Sequence, residues 1–276
     1  MSSVIPYTVL DVFAEARLEG NPVAVYRRAG GLSPDLMQRI AREMNLSETT
    51  FILSDEPRDG GYDVRIFTPM VEVPFAGHPT LGTAYVIAHE VAPAPPSKVV
   101  LNLKVGPIPV TFLRDEKGEL LWMRQNAPEF GRRFTAAELA EVLCLAVEDI
   151  DARYPIEVVS TGLPFVVAPL RSLGAVRRAR VRIDVLDRLV RDCPAKSVFI
   201  FSRETYSPAN SINARMFGPL KGVPEDPATG SANGCLAGYL LKHRCLDTDE
   251  IYLRVEQGYE IARPSLLHLR LSALML

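Results

Sequence analysis

Alternating and helically spaced apolar positions divide the chain into short strands and a few helices. Residues 7–13 (YTVLDVF) are strand-like by their β-branched and aromatic content, and Val23 to Tyr26 follows as a second strand after the Gly20-Asn21-Pro22 turn. Ser33-Pro34 opens a helix as N-cap and first-turn proline, and Leu36, Met37, Ile40 and Met44 give it one apolar face until about Asn45. Strands are predicted at Thr49–Leu53 and Tyr62–Thr68 around a tight Asp59-Gly60-Gly61 turn. Further strands fall at 98–104, 107–113 and 119–124, with Lys117-Gly118 as a turn. Ala127 to Gly131 reads as a linker, and Thr135 with Glu138 forms a capping box opening a helix through Leu145. Residues 184–192 are helical, and strands at 197–201, 211–217, 251–256 and 265–272 complete the pattern. Two other helices, Pro79 to about Glu90 and Ser231 to Leu241, have no charged side. A helix apolar or small all round is buried on every side, so each is expected to be wrapped by a curved sheet.

Those two helices follow a repeated motif. Arg65, Phe67, Pro69, Val73 and Pro74 match Arg215, Phe217, Pro219, Val223 and Pro224 in R-x-F-x-P-x-x-x-V-P. Both copies then reach a glycine before the helix, Gly77-His78 and Gly230-Ser231, the second after three extra residues that include Asp226. Gly162-Leu163-Pro164 likewise echoes Gly20-Asn21-Pro22. The repeat implies two related halves, each presenting a proline-containing loop that runs into a helix.

Composition then removes several function classes. The chain has 276 residues, 47% hydrophobic and 23% charged, with a formal charge of −2. That size fits two ordinary domains and that charge offers no basic field for nucleic acid. No apolar run approaches the ~18 residues of a membrane span. The start lacks the basic and apolar regions of a signal peptide, so a cytoplasmic protein is expected. Cys144, Cys193, Cys235 and Cys245 form no C-x-x-C pair and read as free, buried thiols. Cys235, one turn after Ser231, reads as packing.

The candidate chemistry lies at the two helix starts. Unpaired N–H groups and a partial positive charge make a helix N-terminus an anion site. Gly77 and Gly230 are therefore expected to help bind a small carboxylated substrate. His78 is placed to carry a proton near neutral pH, whereas His89, His243 and His268 read as surface or packing residues. Asp226, with Glu225 as a substitute, is a further acid. By position alone, Glu48 is a turn carboxylate or helix cap at the end of a hairpin whose other arm feeds the first motif. The symmetry of Arg65 and Arg215 fits structural ion pairs. There is no G-x-G-x-x-G or Walker loop and no metal-ligand spacing, so neither cofactor nor metal is expected.

NLSETTF, FTPMVEVPFAGHPTLG, STGLPF and EDPATGSANGCLAGYL resemble the PhzF-like proteins of phenazine biosynthesis, which have the diaminopimelate epimerase fold. The resemblance runs over nearly the whole chain. It implies an α+β protein of two pseudo-symmetric domains, each a curved sheet or barrel around a central helix, with a site in the cleft between them. The domains are expected at 1–127 and 128–276, with the last strand free to pack with the first domain. A further glycine-containing strand and turn are expected where the chain ends at SALML. Epimerases and racemases of this fold use two opposed cysteines, but the matching positions here carry His78 and Ser231. The resemblance instead makes Glu48 the general base of a cofactor-independent isomerase, of the trans-2,3-dihydro-3-hydroxyanthranilate isomerase type. His78 and Asp226 would assist proton transfer, and Gly77, Gly230 and Ser231 would bind substrate. A homodimer is also implied. The alternatives are an amino-acid racemase or epimerase, and a non-catalytic metabolite-binding protein of the same fold.

Overall fold

A computed structural model describes residues 4–116, 118–246 and 248–272. Lys117 of the expected turn and residues 273–276 of the expected departure at the chain end lie outside them. The chain forms two compact units, one of residues 1–12 and 22–124, the other of residues 13–21 and 125–276. No helix among the described residues is long and apolar enough to cross a membrane.

The first unit contains β1 (Tyr7–Val12), β2 (Asn21–Tyr26, whose first residue belongs to the second unit), β3 (Glu48–Ile52), β4 (Tyr62–Phe67), β5 (Glu72–Val73), β6 (Lys98–Leu103), β7 (Gly106–Asp115) and β8 (Gly118–Met123). They form one sheet in the order β1-β2-β3-β4-β6-β7-β8, with β5 on β4. Helix α1 (Pro34–Met44) crosses between β2 and β3, and α2 (Gly77–Val86) between β5 and β6. Because α2 touches β1 and β8, the opposite edges of the sheet, the sheet curls round it. The fit is close: a Cβ on Gly82 would stand 2.6 Å from a Val23 methyl.

In the second unit the strands are β9 (Glu129–Phe134), β10 (Ile156–Ser160), β11 (Pro164–Pro169), β12 (Val198–Ser202), β13 (Ile212–Gly218), β14 (Val223–Asp226), β15 (Glu250–Gln257) and β16 (Ser265–Ser272). Their order is β16-β15-β13-β12-β11-β10-β9, with β14 on β13. Helices α3 (Ala136–Leu143), α4 (Leu173–Arg178) and α5 (Ile183–Leu189) pack on one face, against Val158, Val166, Val198 and Ile200. The other face, carrying Val159, Val167, Phe199 and Phe201, packs on α6 (Gly230–Lys242). Alternate residues of one strand thus enter two different cores. That explains β12, whose run VFIFS is buried throughout.

The expected α+β architecture of two curved sheets, each around a central uncharged helix, is present. Ser33 caps α1 by accepting from the Leu36 N–H, and the Thr135–Glu138 capping box forms. Several details differ from expectation. Glu129 to Gly131, expected as part of a linker, open β9 (Glu129–Phe134), which pairs with β10 around a bulge. Leu36 is exposed, and α1 buries Met37 and Ala41 instead. Cys144 is exposed rather than buried, since it ends α3 in the left-handed conformation.

Strand register aligns the two units residue by residue. Thr49 pairs Ala24 and Phe67, as Val198 pairs Val166 and Phe217. Ile66 pairs Val73, as Met216 pairs Asp226. Hence Asp226 occupies the place of Val73, and Glu225 that of Glu72. The extra residues of the second copy therefore fall earlier, in the turn around Pro219–Lys221, and not at Asp226 as the V-P alignment suggested. Symmetric ion pairs follow. Arg65 donates to both oxygens of Glu72 at 2.8 Å, and Arg215 to both of Glu225 at 2.8 and 2.7 Å. Glu225 is thereby committed to Arg215 and is no substitute for Asp226.

Candidate active site

In the first unit, Glu48 opens β3 beside Val23, with its side chain 19% exposed. His78, the second residue of α2, is buried, and its Nε2 lies 3.5 Å from Glu48 Oε2. The Pro22 carbonyl accepts a hydrogen bond from the ring. Burial pushes the imidazolium down to about 3, against the pull of the Pro22 carbonyl, so the ring is neutral near pH 7. Nε2 of the neutral ring faces the Glu48 carboxyl.

In the second unit, the Asp226 carboxyl is buried at the end of β14. It accepts from Asn21 Nδ2 at 2.9 Å and from the Thr229 hydroxyl in a short bond. Burial raises it to about 6, against the lowering effect of both donors. Gln257 donates to the Asp226 carbonyl at 2.8 Å and accepts from the Thr229 N–H and the Asn233 amide. Because Thr229 gives its hydroxyl to Asp226, it does not cap α6 with its side chain. Ala76 cannot cap α2. Both helix starts thus keep N–H groups without a side-chain cap, at Gly77-His78 and at Gly230-Ser231, which suits anion binding. The Gly230 carbonyl is held by Gln125 Nε2 at 2.8 Å.

The structure therefore brings Glu48 and His78 together, with Gly77, in one unit, and gathers Asp226, Gly230 and Ser231 at the start of α6 in the other. Asn21, Gln125, Thr229 and Gln257 were not legible as site residues. Comparison of the repeats carries a signal for two of them: Asn21 stands where the second copy has Leu163, and Gln257 where the first has Leu103. Cys235 is buried against Thr161 and Leu163, and burial pushes its thiol up to about 11, as suits a packing residue. Among the described residues no group of His, Cys, Asp and Glu could hold a metal ion.

Known proteins share this architecture. The chain is 39% identical over 265 residues to trans-2,3-dihydro-3-hydroxyanthranilate isomerase of Pseudomonas aeruginosa, covering 96% of this chain and 89% of that one. A solved PhzF-family phenazine biosynthesis protein of Bacillus anthracis superposes with a TM-score of 0.89 at 30% identity, over 96% of this chain and 90% of the other. A hydroxyproline epimerase from Agrobacterium vitis shares the fold at 10% identity, with a TM-score of 0.57 over 96% of this chain and 83% of the other. The profile of the phenazine biosynthesis-like proteins matches residues 10–274. With this match over nearly its whole length and curated isomerases among its relatives, the chain belongs to the phenazine biosynthesis-like (PhzF) family and is an isomerase.

Proposed function

We propose that the protein is a cofactor-independent isomerase that moves a proton within a small carboxylated metabolite, with Glu48 as the general base. The observation that carries this reading is the Glu48–His78 pair, at 3.5 Å and largely shielded from water. Low-dielectric surroundings disfavour a charged carboxylate and strengthen it as a base. Glu48 takes a proton from one carbon of the substrate. Neutral His78 then accepts a hydrogen bond from the protonated carboxyl, and the same carboxyl returns the proton to a second carbon on the same face. Nothing is oxidised or reduced, and no proton is lost overall.

The roles of Asp226 as an assisting acid and of Gly77, Gly230 and Ser231 in holding the substrate carboxylate rest on the resemblance and on the uncapped helix starts. The likeness to the Pseudomonas aeruginosa isomerase makes trans-2,3-dihydro-3-hydroxyanthranilate the first substrate to test. A homodimer is part of the same proposal, and sedimentation tests it.

The decisive experiment is incubation in D2O with that compound and a small panel of unsaturated amino and hydroxy acids, followed by NMR. Isomerisation in the wild type, with deuterium in the product in proportion to the exchange of the Glu48 proton with solvent, and its loss in Glu48→Gln, is the expected result. Turnover that survives Glu48→Gln would sink the assignment of the base. Absence of turnover on every compound would favour the metabolite-binding alternative.

A further inference from the structure

Asn21 is fully buried, yet it stands where its repeat counterpart, Leu163, is apolar. Asp226 is the matching oddity, an acid in the place of Val73. The two oddities meet: Asn21 Nδ2 donates to Asp226 Oδ1 at 2.9 Å and to the Ala228 carbonyl at 3.1 Å. One amide group thus grips both the carboxyl and the turn that leads into α6. Asn21 is itself fixed. The Arg263 side chain donates to the carbonyls of Leu18, Glu19 and Gly20, and the Gly20 N–H donates to the Pro264 carbonyl at 2.8 Å. A segment from early in the sequence is in this way built into the second unit and delivers one side chain to Asp226. A buried amide is costly unless its hydrogen bonds are made, and the Asn21 Oδ1 has no hydrogen-bond partner among the described residues, so its presence fits a positioning task for Nδ2 better than packing.

We propose that Asn21 is the positioning residue of Asp226, orienting its carboxyl and holding its proton affinity in the range where it works on the substrate. This deepens the isomerase reading and rests on it for the role of Asp226. The side-chain groups facing the carboxyl are the Asn21 amide and the Thr229 hydroxyl. Glu225, its neighbour in sequence, is turned onto Arg215.

The test follows the Asp226 carboxyl directly, by NMR titration of protein carrying ¹³C-labelled aspartate, with Asp226→Asn to assign the signal. Loss of a hydrogen bond to a charged group is expected to move the Asp226 midpoint upward by about one pH unit in Asn21→Ala. The falling limb of the pH profile of kcat/KM on the high-pH side, where an assisting acid loses its proton, is expected to move with it. Should Asn21→Ala fail to fold, Asn21→Asp keeps the shape and places a second carboxyl beside the first. The pair would then share a proton, and the later of its two titrations would lie more than one pH unit above the wild-type midpoint. Gln125→Leu, which frees the Gly230 carbonyl at the same helix start and bonds neither Asp226 nor Thr229, serves as the structural comparison. An Asp226 midpoint unchanged in Asn21→Ala, or moved equally by Gln125→Leu, overturns the proposal. A moved midpoint in a protein that turns over none of the tested acids upholds the hold of Asn21 on Asp226 and counts against the isomerase reading instead.

Discussion

Replacing Asp226 by asparagine is expected to stabilise the protein above neutral pH and to destabilise it in acid. The carboxyl is pushed from 3.8 to about 6 by burial. Between those values the unfolded chain releases the proton while the folded chain keeps it, so stability falls as pH rises. The displacement corresponds to about 3 kcal/mol, all of it missing above the folded value. The replacement amide would keep an acceptor for one of the two donors, Asn21 and Thr229, and lose the other bond at a cost of about 1 kcal/mol. The net expectation is a gain of about 2 kcal/mol near pH 8 and a loss of about 1 kcal/mol near pH 3.5. Urea unfolding followed by circular dichroism at both pH values measures the difference. Stability curves that run parallel for wild type and Asp226→Asn, with no crossing, would refute the argument that burial governs this carboxyl.

His78→Gln should make the protein less sensitive to acid. His78 favours its neutral form down to about pH 3, so the wild type loses up to about 5 kcal/mol as pH falls from 6.5 to 3 while the unfolded ring takes a proton, and unfolding curves across that range check it. Arg215→Met should cost about 3–5 kcal/mol by stranding buried Glu225, with much of it recovered in the double variant Arg215→Met/Glu225→Met. Arg65→Met should cost less in the same denaturation assay, because Lys104 also reaches Glu72, at 2.6 Å. Gly234→Ala should lower the melting temperature, since its Cβ would overlap Gln125 Oε1 and push away the amide that holds the Gly230 carbonyl. A thiol reagent should label Cys144 alone among the four cysteines of the native protein and leave isomerisation intact; activity lost with that labelling would favour a thiol-dependent racemase.

Much of the fold was legible because the central helices advertise themselves. The runs beginning at Pro79 and Ser231 carry no charged side, and only an enclosing sheet explains that. Strands with clear alternation were also legible. Glu129–Phe134 was not, because Pro128 and Gly131 read as linker chemistry while the ladder to β10 is long-range pairing that local sequence does not encode. Of the site, His78 was visible beside its repeated glycine. Glu48 was visible only through resemblance, since its closeness to His78 is set by the β2–β3 pairing and not by spacing. The Asn21–Asp226 bond spans more than 200 positions in the sequence, beyond any local pattern.

The repeat nevertheless contains more about function than its shared residues suggest. What the copies share is scaffold: the arginine–glutamate pairs, the glycines and the buried helices. Five of the residues they do not share are polar and largely shielded from water. Glu48 stands against Ser197, His78 against Ser231, Asp226 against Val73, Asn21 against Leu163 and Gln257 against Leu103. Burying such groups opposes folding unless each finds a partner, so a scaffold that needed only stability would have kept the apolar or smaller member of each pair. Three of the five, Asn21, Asp226 and Gln257, lie in one hydrogen-bonded network with Thr229, and two, Glu48 and His78, face each other. Departures from the repeat that cluster in this way mark where the two halves ceased to be equivalent. A proton transfer in which one group acts as base and others assist requires that inequality, whereas a two-base racemase is served by matched residues at the two helix starts.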